Sequence, residues 1–345
     1  MFLYIIGNGF DKAHNLPTDY RNDLMRILKQ KDNEKFQFIN NLYFKGDEKL
    51  WSHFEDNIGN IKKYDELDQK YTNIVQDFFN EYSNIYQYPA ESENYGNDDM
   101  EVDNATDAAE SHRPRDSDFE LDYDFKDFID EGMEEMIKEA NDKIANNQVS
   151  KIPNLPLTTS DFYITFNYTN TLEEVYKISS KNILHIHGTL KDMIYGNDVS
   201  KLTDVDSGNF NIDFDNYEKD DLNIDSYVTP FTKAFMDAIQ YSDSEKEELE
   251  KKLSDQLNDQ NSLFKKDLQK DKLIKFMNIL PKNVDKIIVI GHSLGKIDIP
   301  YFETIRKMLP QVHWWISYYK SPNNMSNYKN LSFSNNVTLF KISIS

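Results

Sequence analysis

The chain has 345 residues, 39% of them hydrophobic and 13% aromatic, and a formal net charge of −21. That length fits one large domain with insertions or two smaller ones, and the 22 Phe and 21 Tyr provide for a substantial core. The absence of cysteine excludes disulfides, thiolate zinc sites and a cysteine nucleophile, and the acidic balance opposes nucleic-acid backbones unless a local basic patch overrides it.

The elements follow in chain order. An apolar run at 2–6 reads as a strand, too short and without a basic leader to be a signal peptide. Gly7-Asn8-Gly9-Phe10-Asp11 follows as a tight turn. Helical patterns come next at 19–30, with Thr18 and Asp19 as a cap, and at 34–44 and 64–86. From Pro89 to about residue 125 the chain reads as an acidic flexible loop. Residues 90–125 hold 13 acids against two arginines, a net of −11. A helix is expected at 126–146, a strand at 161–166, a helix at 170–179 and a strand at 183–187. Helices at 230–241 and 245–279, the latter broken, precede strands at 286–290, 312–317 and 337–342, with a helix at 299–308 between the first two.

Six near-continuous apolar strands alternating with helices predict an α/β fold: a doubly wound, mostly parallel, Rossmann-like sheet with helical insertions. The core is expected in 1–30, 155–199 and 280–345. A helical insertion at 31–154 carries the acidic loop 89–125, and a second occupies 200–279. No stretch approaches the length of a membrane span, so the expectation is a soluble, cytoplasmic protein without a membrane partner.

Five of the eleven glycines lie in three turns after strands: Gly7 and Gly9, Gly188, and Gly291 and Gly295. Strand, glycine turn and helix is the arrangement by which open α/β sheets receive nucleotides. The first turn lacks the third glycine of the dinucleotide fingerprint, and a turn without a ligand would need the same glycines. Asp11 would repel a pyrophosphate, though it could cap the following turn or hold a ribose hydroxyl. Phe166-Asn167-Tyr168-Thr169 ends a strand, where Asn and Thr either cap a helix or hold a water or sugar hydroxyl. His185 and His187, two apart on a strand, would share a face. A metal pair lacks a third ligand, so no metal is expected; a structural role suits His185 and a general base suits His187. Gly291-His292-Ser293-Leu294-Gly295 matches the nucleophile elbow, but the acid and histidine that should follow the serine are missing from the remaining 52 residues.

Together, Ile5-Ile6-Gly7-Asn8-Gly9-Phe10-Asp11, Leu16-Pro17-Thr18 with Tyr20, Leu50-Trp51-Ser52-His53-Phe54-Glu55, Phe166-Asn167-Tyr168-Thr169, His185-Ile186-His187-Gly188 and the stretch Ile290 to Phe302 resemble the AbiH family of bacteriophage abortive-infection proteins. More distantly, the same ordered set is similar to sirtuin-like domains that surround NAD. That resemblance implies Asn167 and His187 as catalytic residues. It implies Gly7, Gly9, Gly291 and Ser293 as binding residues, and Asn8, Phe10, Asp11, Thr169, His292 and Asp298, from the same motifs, are expected to bind beside them. The cofactor or substrate it implies is NAD or a related nucleotide. Without cysteine the zinc module of true sirtuins cannot form, so deacylation is not expected. The implied function is antiphage defence by NAD hydrolysis, with a phage-derived trigger and room for a homo-oligomer. The alternatives are a nucleotide-sensing module that triggers a partner effector, and a nuclease toxin. The nuclease would need carboxylates arranged for Mg²⁺, and no compact acid motif offers them.

Overall fold

The computed structural model of the chain describes residues 1–60, 125–153, 155–197, 258–281 and 283–342, with residues 251 and 255. The expected helices 64–86 and 230–241, and the acidic loop as far as residue 124, lie outside the described residues. The chain divides into two compact units. One comprises Met1–Asn60, Asp124–Leu202 and Asn261–Ser345; the other, Ile61–Tyr123 and Thr203–Gln260, lies almost wholly outside the described residues.

The first unit is built on a six-stranded sheet: β1 (Phe2–Ile6), β2 (Phe162–Thr165), β3 (Ile183–His185), β4 (Lys286–Ile290), β5 (His313–Tyr318) and β6 (Val337–Lys341). The order is β3-β2-β1-β4-β5-β6, and every neighbouring pair is parallel. This is the Rossmann strand order, which reverses direction between β1 and β4 and opens a crevice there at the carboxyl ends of the strands. The apolar runs are long because both faces are covered. On one face Leu3, Ile5, Val289, Trp314 and Ile316 pack with Leu273, Phe276 and Met277, and with Tyr301, Phe302 and Ile305. On the other, Tyr4, Ile6 and Tyr163 pack with Phe10, Leu172 and Tyr176. Successive residues of a strand point to opposite faces, which is why Leu3 and Ile5 part from Tyr4 and Ile6.

The helices include α1 (Asn8–Ala13), α2 (Met25–Lys31), α3 (Asn33–Phe44), α4 (Phe125–Ala145), α5 (Lys270–Ile279) and α6 (Ile299–Met308). A π-helical turn, Tyr20–Leu24, leads into α2, and Asp19 caps it by accepting from Arg21 N and Asn22 N at 3.0 Å. Three elements depart from expectation. The helix expected at 170–179 is a single turn, Thr171–Glu174, cut off where Lys177 takes a left-handed φ of 60°. The strand expected at 183–187 ends at His185, because Gly188 N–H turns back to His185 O. The glycine turn after β1 continues directly as α1. Among the described residues no helix is long and apolar enough to cross a membrane.

At the switch point the turns after β1 and β4 touch backbone to backbone. Gly7 N–H donates to Ile290 O at 2.9 Å and Gly9 N–H to Gly291 O at 2.8 Å. A Cβ at Gly7 would fall 2.5 Å from His292 Cα, and one at Gly9 would fall 2.8 Å from Gly291 O. Gly291 itself has φ 66°. Backbone atoms cannot swing away as a side-chain tip can. Gly7→Ala is therefore expected to destabilise the protein by about 2 kcal/mol, the cost of overpacking, seen as a lower midpoint in urea denaturation.

Candidate functional site

A cavity of about 920 Å³ opens at this crossing. Nine of the twelve residues singled out from the sequence line it: Gly7, Asn8, Gly9, Phe10, His187, Gly291, His292, Ser293 and Asp298. Asp11, Asn167 and Thr169 do not.

The glycine turn is already engaged by protein. Besides the bonds of Gly7 and Gly9, Phe10 N–H donates to Gly7 O at 2.9 Å, and Gly291 N–H donates to Ser317 Oγ at 3.2 Å. These N–H groups do not point at a ligand. Asn8 is likewise fixed, its Nδ2 donating to Thr18 O at 2.6 Å and its Oδ1 accepting from Thr18 Oγ1 at 2.7 Å. Ser293 is exposed on a loop that reaches α6 only at Ile299, so the strand–serine–helix elbow of a hydrolase does not form. The neighbouring His292 turns from the serine to Asp298, with Nε2 3.4 Å from Asp298 Oδ2.

The inner wall is an ionic cluster drawn from four segments. Glu55 follows Trp51 and Phe54, which stack with Phe44 in an aromatic cluster; the Trp51 and Phe44 rings lie 4.2 Å apart. Asp298 is the residue before α6. His187 is buried against Phe166, Tyr168 and Tyr301. Lys266 precedes α5, held where its N–H donates to Asn197 O at 2.8 Å. Its Nζ lies 2.5 Å from Glu55 Oε2 and 3.8 Å from Asp298 Oδ1. His187 Nε2 lies 3.4 Å from Asp298 Oδ1, and both atoms are buried without a hydrogen-bond partner.

These environments set the charges. Burial disfavours an ionised Asp298, but Lys266, His187 and His292 outweigh it and hold the carboxyl well below the usual range. Burial also opposes a charged Lys266, and Glu55 and Asp298 reverse the effect and raise it. Burial pushes His292 down to about 4, so it is neutral at pH 7. Its Nδ1 accepts from Leu294 N–H at 2.9 Å, which leaves the proton on Nε2, toward Asp298.

A second polar cluster lies behind the segment that follows β2. Asp11 is buried and accepts from Thr169 Oγ1 at 2.6 Å and Thr171 Oγ1 at 2.9 Å. Burial raises its pKa to about 6 despite these bonds and one from Asn167. His185 bonds Asn167 O through Nδ1 at 3.1 Å and Glu173 Oε1 through Nε2 at 2.8 Å. Burial opposes its charge, but Glu173 prevails and its pKa is raised. The segment Phe166–Thr169 alternates sides: Phe166 and Tyr168 pack beside His187, while Asn167 and Thr169 face the Asp11 cluster. His185 is thus held between the Asn167 carbonyl and Glu173, and His187 lines the cavity.

Sequence reasoning missed two members of the site. Glu55 lay within a quoted motif and received no role; Lys266 lay in a region read as insertion. The signal available for Glu55 was its place after two aromatics. Lys266 carried none, since its partners are 211 and 32 residues away.

The family model described as "Bacteriophage abortive infection AbiH" matches residues 3–318, and the chain belongs to that family. No curated protein and no solved structure matches it.

Asp11 generates a testable pH dependence. Its folded-state pKa of about 6 exceeds the ordinary carboxylate value, so between about pH 4 and 6 the folded state holds the extra proton. Its contribution to stability is largest below pH 4 and is lost as pH rises through 6. The stability of wild type relative to Asp11→Asn should fall by about 3 kcal/mol across that window, measured by urea denaturation at each pH.

Proposed function

We propose, with membership of the AbiH family and its abortive-infection role against bacteriophage as the premise, that the cavity at the β1/β4 switch point takes a nucleotide and hydrolyses its N-glycosidic bond, with NAD as the substrate. The observation that carries this reading is the pair His187 Nε2 and Asp298 Oδ1, 3.4 Å apart, buried and unpartnered on the cavity wall. Buried polar atoms ordinarily find partners, and two at 3.4 Å can share one water seated to their side. Such a water can donate one proton to the imidazole nitrogen and the other to the carboxylate oxygen.

The chemistry follows from the charges. Water attacks C1′ of the nicotinamide ribose; the C–O bond forms as the C–N bond breaks, and the electron pair leaves with the nitrogen, neutralising the pyridinium. Nicotinamide therefore departs neutral without an acid catalyst. Positive charge develops on the ribose, and an ionised Asp298 in a water-poor wall favours that state electrostatically. His187 takes the proton of the attacking water as general base and passes it to solvent. Because the N–H groups of Gly7, Gly9, Phe10 and Gly291 are engaged, the phosphates would be met by exposed side chains on the rim, among them Asn15, Ser293 and Lys12, whose ammonium also pairs with Asp19. Asn167 enters this reading as a positioning residue, through its bond to Asp11 and its carbonyl on His185.

The test is incubation of purified protein with NAD, alone and with extract of phage-infected cells, with products identified by mass spectrometry. Wild type is expected to release nicotinamide and ADP-ribose. His187→Ala and Asp298→Asn are expected to lose at least about 100-fold, the usual contribution of a positioned acid–base group. Binding of NAD without turnover by wild type would assign a sensor that acts through a partner. Neither binding nor turnover would remove NAD from the reading.

A further inference from the structure

The inner wall combines the donor atoms of a metal site with a lysine inside it. One oxygen of Glu55, one nitrogen of His187 and one oxygen of Asp298 lie within 4.8 Å of one another. Two carboxylates and an imidazole are ligand types that take divalent first-row ions. Two of the candidate donors, His187 Nε2 and Asp298 Oδ1, are buried with no hydrogen-bond partner. Such a set ordinarily implies an ion. Here Lys266 Nζ lies 2.5 Å from Glu55 and 3.8 Å from Asp298, and its side chain has 0% exposure.

We propose that Lys266 is the resident cation of this cluster, its ammonium neutralising Glu55 and Asp298 as a divalent ion would, and that its removal opens Glu55, His187 and Asp298 to such an ion. Two observations support this assignment. The ammonium is sealed from water, so its charge must be met by protein groups, and Glu55 and Asp298 lie beside it. It joins segments 211 residues apart, as a shared metal does. A compact ammonium also leaves His187 Nε2 and Asp298 Oδ1 without a hydrogen bond, where a metal would take both as ligands. A divalent ion placed among the same donors would meet the ammonium at close range and be repelled.

The inference does not rest on NAD as substrate, and its test reads no turnover. Mn²⁺ binding is measured by electron paramagnetic resonance on wild type, Glu55→Gln, Lys266→Gln and the double variant Lys266→Gln/Glu55→Gln. The acidic surface will bind Mn²⁺ weakly in all four, so the reading is the difference that depends on Glu55. Wild type and Glu55→Gln are expected to bind alike. Lys266→Gln is expected to gain one site at least tenfold tighter than any in wild type, lost again in the double variant. Mn²⁺ should raise the melting temperature of Lys266→Gln and leave that of wild type unchanged. If loss of the lysine unfolds the protein, Mn²⁺ is expected to restore folding to Lys266→Gln. Glu55-dependent uptake by wild type would overturn the proposal, as would a Lys266→Gln chain that is folded and gains no site, or one that stays unfolded with Mn²⁺ present.

Discussion

The contact on which the rest of the site depends is the backbone crossing between Gly7–Gly9 and Gly291–His292. Parallel neighbours in a sheet lie about 5 Å apart, and the turns that leave them usually part toward opposite faces, leaving a crevice. Here the turns touch first, with no side chain between them. The contact sets where His292 begins, because its Cα lies where a Gly7 Cβ would press. His292 fixes one side of Asp298, and Asp298 gathers His187 and Lys266. The glycines whose spacing suggested a phosphate cradle are thus required for close approach of protein to protein. The cavity lies beside that crossing and draws its polar character from side chains.

The sheet was legible because a strand covered on both faces must be apolar along its whole length. Ile287-Ile288-Val289-Ile290 and Trp314-Trp315-Ile316 have no competing helical reading. The ends of elements were less legible, because they are decided by single backbone bonds. Gly188 N–H to His185 O ends β3 two residues early, and Lys177 at φ 60° stops a helix whose apolar pattern continues to Ile178. The site was legible where it lies just after strands, as with His187 and Gly291, and before a helix start, as with Asp298. Lys266 was not, for a physical reason: ion pairing has no period. A lysine that joins carboxylates 211 and 32 residues away looks in sequence like any lysine on a charged surface. Only its burial distinguishes it, and burial belongs to the fold.

The ionic wall is consistent with function more than with stability. Two carboxylates and an ammonium taken out of water cost more than a well-packed apolar core would, and such groups often could be replaced without loss of stability. Losing one partner is another matter, since it leaves an uncompensated buried charge at a cost of about 3–5 kcal/mol. The arrangement is therefore expensive to build and hard to alter one residue at a time. His292 contributes by being neutral: its Nε2–H faces Asp298 and leaves the charge to Lys266.

The segment after β2 explains how one short stretch serves two clusters. An extended chain sends successive side chains to opposite sides, so Phe-Asn-Tyr-Thr delivers its aromatics to the His187 side and its polar groups to Asp11. Asn167 and His187, paired in the sequence reading as catalytic partners, thereby fall on opposite sides of the same wall. An effect of Asn167 on chemistry must then travel through the segment: its carbonyl receives His185, its amide meets Asp11, and the aromatics on either side of it pack against His187. Substitution at Asn167 would disturb the angle at which Phe166 and Tyr168 hold the imidazole. On the proposed reading, such a change would alter the rate of a positioned base without removing it, whereas substitution at His187 would remove the base itself.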